Sequence, residues 1–239
     1  MQITVSNKYE SLRGWITAVP DIFQKEGRLL FRVRNEVRVL TTPDGMSICV
    51  KRFRTPAFFN RIAYTFFRKS KVVRAYNNAV TLLEHGIETP EPIAFILNKR
   101  GGLLAESYLL TLFCSYTHNF YEFREHGIHG YEDVLKTLAL MAATMHENGI
   151  CHRDFSPGNI LFDKKEDGEV RMSVIDINRM TFSHPLSLRQ GCSNFARLWG
   201  DDEFFLRLAE KYAEARSFPI EQCRQLTLKY HKRYWRFRK

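Results

Sequence analysis

Residues 145–162 read Met-His-Glu-Asn-Gly-Ile-Cys-His-Arg-Asp-Phe-Ser-Pro-Gly-Asn-Ile-Leu-Phe, and further on comes Val174-Ile175-Asp176-Ile177-Asn178. Asp154 closes a His-Arg-Asp triplet, and Asn159 follows five residues later, just ahead of the apolar run Ile160–Phe162. Phosphoryl transfer from ATP calls for such a set, with a carboxylate beside the incoming hydroxyl and hard oxygen ligands for Mg²⁺. On this chemistry Asp154 faces the acceptor hydroxyl, while Asn159 and Asp176 hold the metal. The bland alternative is a buried Asp and Asn that merely tie up a loop. A lone His-Arg-Asp is a weak signal; the full string with its flanking pattern is a strong one.

That pattern extends outward on both sides. Val134, Leu138, Met141, Ala142 and Met145 share one face of a helix, and Gly149 stands at its C-terminal cap. Beyond the loop, short strands are predicted at Ile160–Phe162 and Met172–Ile175 around the turn Asp167-Gly168, and the chain from about Asp201 reads as helical. Upstream the texture differs. Arg28–Leu40 sets Phe31, Val33, Val37 and Val39 among charges, which predicts a half-buried strand. Thr42-Pro43-Asp44-Gly45 is a turn sequence, and Met46–Phe53 completes a hairpin. Val72, Tyr76, Ala79, Val80 and Leu83 make a helical stripe that Gly86, Pro90 and Pro92 end. Strands at Ile93–Leu97 and Leu103–Phe113 follow, joined by Asn98–Gly102. Strands first and helices after predict an α+β chain of two lobes, residues 1–115 and 116–239.

The loop and the later Asp resemble the catalytic loop and metal-binding Asp of the protein-kinase-like fold. The resemblance implies an N-terminal antiparallel β-sheet with one helix and a mainly helical C-terminal lobe. It gives Asp154 the catalytic role and makes Asn159 and Asp176 ligands of Mg²⁺. Ile48-Cys49-Val50-Lys51 resembles the strand whose lysine grips the α/β-phosphates of ATP, although a Lys ending an apolar strand is by itself as often surface charge. Several features depart from the pattern. No GxGxxG exists, and only Gly27 precedes the hairpin. Ala75, Asn77 and Asn78 fill the helix middle where a Glu is usual, with Glu84 near its end. Ser156 stands where Ser/Thr protein kinases carry Lys, and Asn178 stands where Gly is usual. No Ala-Pro-Glu follows; His184–Gly191 replaces it, so a protein-kinase substrate platform is not expected.

A narrower likeness lies in Val50–Pro56, Asn60–Tyr64, Arg68–Lys71 and Gly86–Ala94, which are similar to the lipopolysaccharide kinase family. It runs from about Gly27 to Leu198. It implies an ATP-dependent kinase that phosphorylates a sugar hydroxyl, of Kdo or heptose, in the lipid A–core region of lipopolysaccharide. The alternatives are a kinase-like phosphotransferase for another small molecule, an atypical protein kinase, and a nucleotide-binding pseudokinase. The absent glycines and helix Glu favour the last, and the intact Asp154, Asn159 and Asp176 oppose it.

Composition sets the bounds. With 239 residues, 44% hydrophobic and 26% charged, the chain is globular and long enough for a substantial core. The five cysteines are scattered with no CxxC, as expected for reduced thiols rather than a disulfide framework. There is no apolar run of membrane-spanning length and no signal-like N-terminus, so a cytoplasmic location is expected, and the resemblance to the lipopolysaccharide kinases implies a peripheral place on the inner membrane. A net charge of +10 points to an acidic partner. Basic residues Lys51, Arg52, Arg54, Arg61, Arg68, Lys69, Lys71 and Arg74 are interleaved with Phe53, Phe58, Phe59, Tyr64, Phe66 and Phe67, and Lys229–Lys239 repeats the mixture. Such patches suit an anionic membrane surface beside a lipid-linked sugar substrate; a nucleic-acid partner rests on charge alone.

Overall fold

The computed structural model describes residues 1–33, 35–66, 70–124 and 127–236. The chain divides into two compact units, Met1–Thr81 with Pro90–Ser115 and Leu82–Thr89 with Tyr116–Lys239. The first contains β1 (Gln2–Val5), α1 (Arg13–Ile22), β2 (Arg28–Arg32), β3 (Glu36–Thr41), β4 (Ser47–Phe53), α2 (Phe58–Phe66), the start of α3 (Lys71–Glu84), β5 (Pro92–Arg100) and β6 (Leu103–Leu112). Its six strands form one sheet in the order β1-β5-β6-β4-β3-β2, antiparallel throughout.

The strand predicted over Arg28–Leu40 is in fact two strands. β2 and β3 pair with Arg32 opposite Glu36, and the Val33 N–H donates to the Asn35 carbonyl at 3.2 Å across the reversal. The apolar residues keep the same phase on both sides, Phe31 and Val33 before and Val37 and Val39 after, so only the polar run Arg34-Asn35-Glu36 marks the turn. The next turn obeys its sequence: Gly45 takes φ +86° and donates to the Thr42 carbonyl at 2.9 Å. β1, α1 and α2 had no counterpart in the expected pattern. Pro20 lies inside α1, where proline ordinarily argues against a helix.

Alternation along β4 assigns its side chains to two faces. Ile48 and Val50 join Ile16, Val19 and Phe23 from α1 in one core. Phe53 packs with Val72 and Ala75 of α3, Phe95 and Leu109 in another. Lys51 is in step with Phe53 and lies on the α3 face, its ammonium 5.5 Å from the Phe53 ring.

Arg52 points the other way. It binds the buried Glu36 at 2.8 Å, as does Arg38 at 2.8 Å, and both guanidinium groups lie over Phe23. Arg61 donates to the Leu104 and Arg100 carbonyls at 2.8 and 3.0 Å. The expected basic patch is therefore smaller than the sequence suggests, because these arginines hold the fold; Phe67, Arg68 and Lys69 lie outside the described residues.

The second unit holds β7 (His118–Asn119), α4 (Glu132–Glu147), β8 (Ile150–His152), β9 (Ile160–Lys164), β10 (Val170–Val174), β11 (Met180–Phe182), α5 (Leu188–Asn194), α6 (Asp202–Arg216) and α7 (Ile220–Arg236). Two small sheets, β10-β9-β7 and β11-β8, present the loops between them. Phe120, Phe155, Phe162, Phe195, Phe204 and Phe205 are sealed in its core, so much of the high aromatic content fills an interior. No helix among the described residues is long and apolar enough to cross a membrane, and no disulfide joins the cysteines.

The tail reading also changes. Within α7, Cys223 and Thr227 are buried, His231 stacks on Phe205 at 3.9 Å, and Trp235 meets Trp199 edge-on. These aromatics pack against rings of the same unit on one side and stay part-exposed on the other; Phe237, Arg238 and Lys239 lie outside the described residues.

Gly149 sets the register of β8 with β11. Its φ is +69°, and an added Cβ would lie 1.9 Å from the Ser183 carbonyl oxygen. Gly149→Ala is expected to destabilise the protein by about 2–4 kcal/mol through strain and clash together. Urea unfolding of the two proteins measures this directly.

Candidate active site

β8 ends at His152 and β9 begins at Ile160, and the connecting loop closes in a 3-10 turn at Pro157–Asn159. His152 anchors it. Its Nδ1 accepts the Asp154 backbone N–H at 3.1 Å, so Nε2 carries the proton and donates to the Ile175 carbonyl at 3.0 Å. Burial lowers the pKa of His152, opposed by the hydrogen bond to that carbonyl, and the two ring partners select one tautomer. The loop therefore holds a rigid histidine at its root and no spare proton there.

Asn159 binds the loop from the other end. Its Nδ2 donates to the Asp154 carbonyl at 2.9 Å and to Ser156 Oγ at 3.1 Å. Its own carbonyl accepts the Ile175 N–H at 2.9 Å. Asp154, Asn159 and the approach to Asp176 thus belong to one hydrogen-bonded frame. Asp176 sits at φ 53°, ψ 44°, a left-handed conformation that a non-glycine residue adopts at a cost of about 1–3 kcal/mol. Asn178 Nδ2 donates to its Oδ1 at 2.6 Å. The end of β10 is pinned as well, since the Val174 N–H donates to the Glu88 carbonyl at 3.0 Å and Thr89 Oγ1 donates to the Val174 carbonyl at 2.7 Å. Lys51 belongs to the other unit, on β4.

Two arginines flank Asp154 that sequence reasoning did not single out. Arg197 Nη1 hydrogen-bonds Asp154 Oδ1, and Arg179 Nη1 lies 3.9 Å from Oδ2. Arg179 stands three residues after Asp176, and its carbonyl accepts the Arg153 N–H at 3.2 Å. Arg197 arrives from the segment after α5, with no local motif to announce it.

A second set, also missed, supports the loop from behind. Arg216 Nη1 donates to the Tyr212 hydroxyl at 2.9 Å, and that hydroxyl meets His146 Nδ1 at 2.8 Å. His146 Nε2 meets Asn194 Oδ1 at 3.0 Å, and Asn194 Nδ2 donates to the His152 carbonyl at 2.9 Å. The His152 carbonyl can only accept, so Asn194 turns Oδ1 to His146, Nε2 donates to it, and Nδ1 of the neutral ring accepts from the Tyr212 hydroxyl. Gly191 makes room for it, because a Cβ there would lie 2.0 Å from the Tyr212 hydroxyl. Gly191 ends the segment that replaces Ala-Pro-Glu.

The lipopolysaccharide kinase (Kdo/WaaP) family model matches residues 34–227, which include the loop, Asp176 and Lys51. The chain belongs to this family. It is accordingly a phosphotransferase, a kinase with an alcohol group as acceptor. Its fold is that of the kinase-like proteins. WaaP, solved in complex with acyl carrier protein, superposes with a TM-score of 0.66 at 17% identity over 99% of this chain and 97% of that one. The Rio2 kinase of Chaetomium thermophilum, solved as an ADP/Mg²⁺-phosphoaspartate complex, gives 0.47 at 14% identity over 92% and 68%. No curated protein matches the sequence.

Burial, supported by the Arg216 charge and opposed by Asn194, lowers the pKa of His146 from 6.5 to about 4. The unfolded chain binds that proton near pH 6.5 and the folded one only near 4. The unfolded state therefore holds more protons between these values, and stability is lost as pH falls through them, by on the order of 3 kcal/mol. His152 acts in the same direction. The melting temperature is expected to drop from pH 7 to pH 5, and His146→Gln to flatten that slope; calorimetric scans across the range check it.

Proposed function

We propose that the protein transfers the γ-phosphoryl group of ATP, with Mg²⁺, to a hydroxyl of a Kdo or heptose sugar in the lipid A–core region of lipopolysaccharide. The observation that carries this reading is the frame in which Asn159 joins the Asp154 carbonyl to the Ile175 amide. One carboxylate and one amide come off a single short loop, and a second carboxylate follows on the strand tied to it. The family match supports the lipopolysaccharide acceptor.

Within that reading Asp154 orients the acceptor hydroxyl and takes up its proton. The Asn159 amide nitrogen is committed to the loop, which turns its Oδ1 outward as a hard donor. Together with an Asp176 carboxylate oxygen it suits Mg²⁺, an ion that takes one or two protein oxygens and fills its shell with phosphate and water. Bound there, Mg²⁺ would neutralise phosphate charge. Lys51 grips the α/β-phosphates as a compact ammonium charge.

The substrate's lipid anchor places the reaction at the cytoplasmic face of the inner membrane, with the protein peripheral to it. Exposed Lys229, Arg233 and Arg236 on α7 supply charge toward an anionic leaflet.

Transfer of radiolabelled phosphate from ATP to purified lipid A–core precursors, with soluble sugars and a generic protein as controls, tests the activity. Asp154→Ala should lower transfer by about a thousandfold while largely sparing nucleotide binding; near-parental turnover would remove Asp154 from its role. Asp176→Ala should abolish Mg²⁺-dependent nucleotide binding in calorimetry. Lys51→Ala should weaken ATP binding or slow transfer, and Lys51→Arg should not restore it fully, because the broad guanidinium replaces a point charge. Unchanged kinetics in both Lys51 variants would make it ordinary surface charge.

A further inference from the structure

A string of aromatic rings borders the loop that carries Asp154, and nothing in the phosphoryl-transfer chemistry above uses it. It begins at Tyr121, whose ring is 48% exposed. Tyr121 lies against Gly158 in the loop so closely that a Cβ there would stand 2.7 Å from its Cε2. Tyr121 meets Trp199 edge-on at 4.6 Å between ring centroids. Trp199 meets Trp235 at 6.1 Å, and Trp235 meets Tyr234 at 5.2 Å. The Arg197 guanidinium lies 5.6 Å from the Tyr234 ring and returns the string to Asp154 through its hydrogen bond. Arg124 sits 4.7 Å over Trp199.

These rings differ from the sealed phenylalanines of the same unit. Tyr121 is exposed, and Trp199, Tyr234 and Trp235 are half-buried, so each keeps part of its surface toward solvent. Two guanidinium groups, from Arg179 and Arg197, face the Asp154 carboxylate, and Arg124 over Trp199 adds a third cation to the rim. Pyranose rings carry C–H faces that pack on aromatic rings, and carboxylate or phosphate groups on a sugar match the guanidinium fork. One rim offers both kinds of contact next to Asp154.

We propose that this rim is the acceptor subsite and that it takes a sugar bearing an oxyanion. Tyr121 and Trp199 carry the sugar ring, while Arg124 and Arg197 hold a carboxylate or phosphate on it. The proposal rests on the kinase reading of Asp154 and names the acceptor class that goes with it.

The test titrates the tryptophan fluorescence of the full-length Trp15→Phe protein, which keeps Trp199 and Trp235 as reporters. The probes are Kdo, a hexose phosphate and neutral mannose. Saturable quenching is expected with at least one of the two anionic sugars, and the comparison between them tells carboxylate from phosphate. Mannose should bind about tenfold more weakly or not at all. Tyr121→Leu should weaken binding by about tenfold, Tyr121→Phe should retain it, and Arg197→Ala should erase the preference for the anionic sugar. No response to any of the three sugars, or parental affinity in Tyr121→Leu, overturns the subsite. Equal binding of mannose and the anionic sugars overturns the oxyanion contact. Calorimetry with MgADP on the same protein separates the two readings: sugar binding without nucleotide binding would keep the rim and sink the kinase.

Discussion

The loop that carries Asp154 depends on a buried hydrogen-bond chain whose directions are set by its last member. The His152 carbonyl can only accept, so Asn194 donates to it through Nδ2 and turns Oδ1 to His146 Nε2. The neutral His146 ring accepts at Nδ1 from the Tyr212 hydroxyl, which in turn accepts from Arg216. His152 then fixes the loop's first amide and the Ile175 carbonyl with its two ring nitrogens. A partly satisfied network of this kind would be costly in an apolar interior, whereas a fully satisfied one admits a single arrangement. Reactive groups a few ångströms out of place lose most of their effect, so in the proposed reaction this network would hold Asp154 in position.

The basic excess of the chain divides into three jobs. Arg38, Arg52 and Arg61 hold secondary structure together through Glu36 and backbone carbonyls. Arg179 and Arg197 attend Asp154. Others, such as Lys229, Arg233 and Arg236, stay on the surface. Net charge counts all of these alike, which is why +10 by itself names no partner.

α7 illustrates how a polar, aromatic tail becomes part of a site. Its sequence resembles a membrane-surface helix, with basic and aromatic residues interleaved. In the structure one face packs: Cys223 and Thr227 are buried, His231 stacks on Phe205, and Tyr234 lies under Arg197. The helix therefore touches the residue that pairs with Asp154, although Arg197 stands 43 positions after Asp154 in the sequence. Helical periodicity gave no sign of this, because amphipathicity marks a buried stripe without naming what covers it.

Local chemistry decided what could be read without coordinates. The loop from His152 to Asn159, Asp176 after the next strand, the turn at Thr42–Gly45, the helical stripes of α3 and α4 and the cap at Gly149 all follow from short-range sterics, period and spacing. They appear in the sequence because each involves residues within a few positions of one another. The reversal at Val33–Asn35 shows only as the polar run Arg34-Asn35-Glu36, because the apolar residues on either side keep one phase, and Pro20 argues locally against α1. Tertiary structure alone decided the rest. Arg197, Asn194, Tyr212 and Arg216 come from segments remote from the loop, and a side chain's partner across 40 or more residues is set by packing. The face occupied by Lys51, opposite to that of Arg52, was implicit in strand alternation, but which core each face met depended on where α1 and α3 packed. Period and turn chemistry act along the chain; the burial that selects one partner among many acts only once the chain has closed on itself.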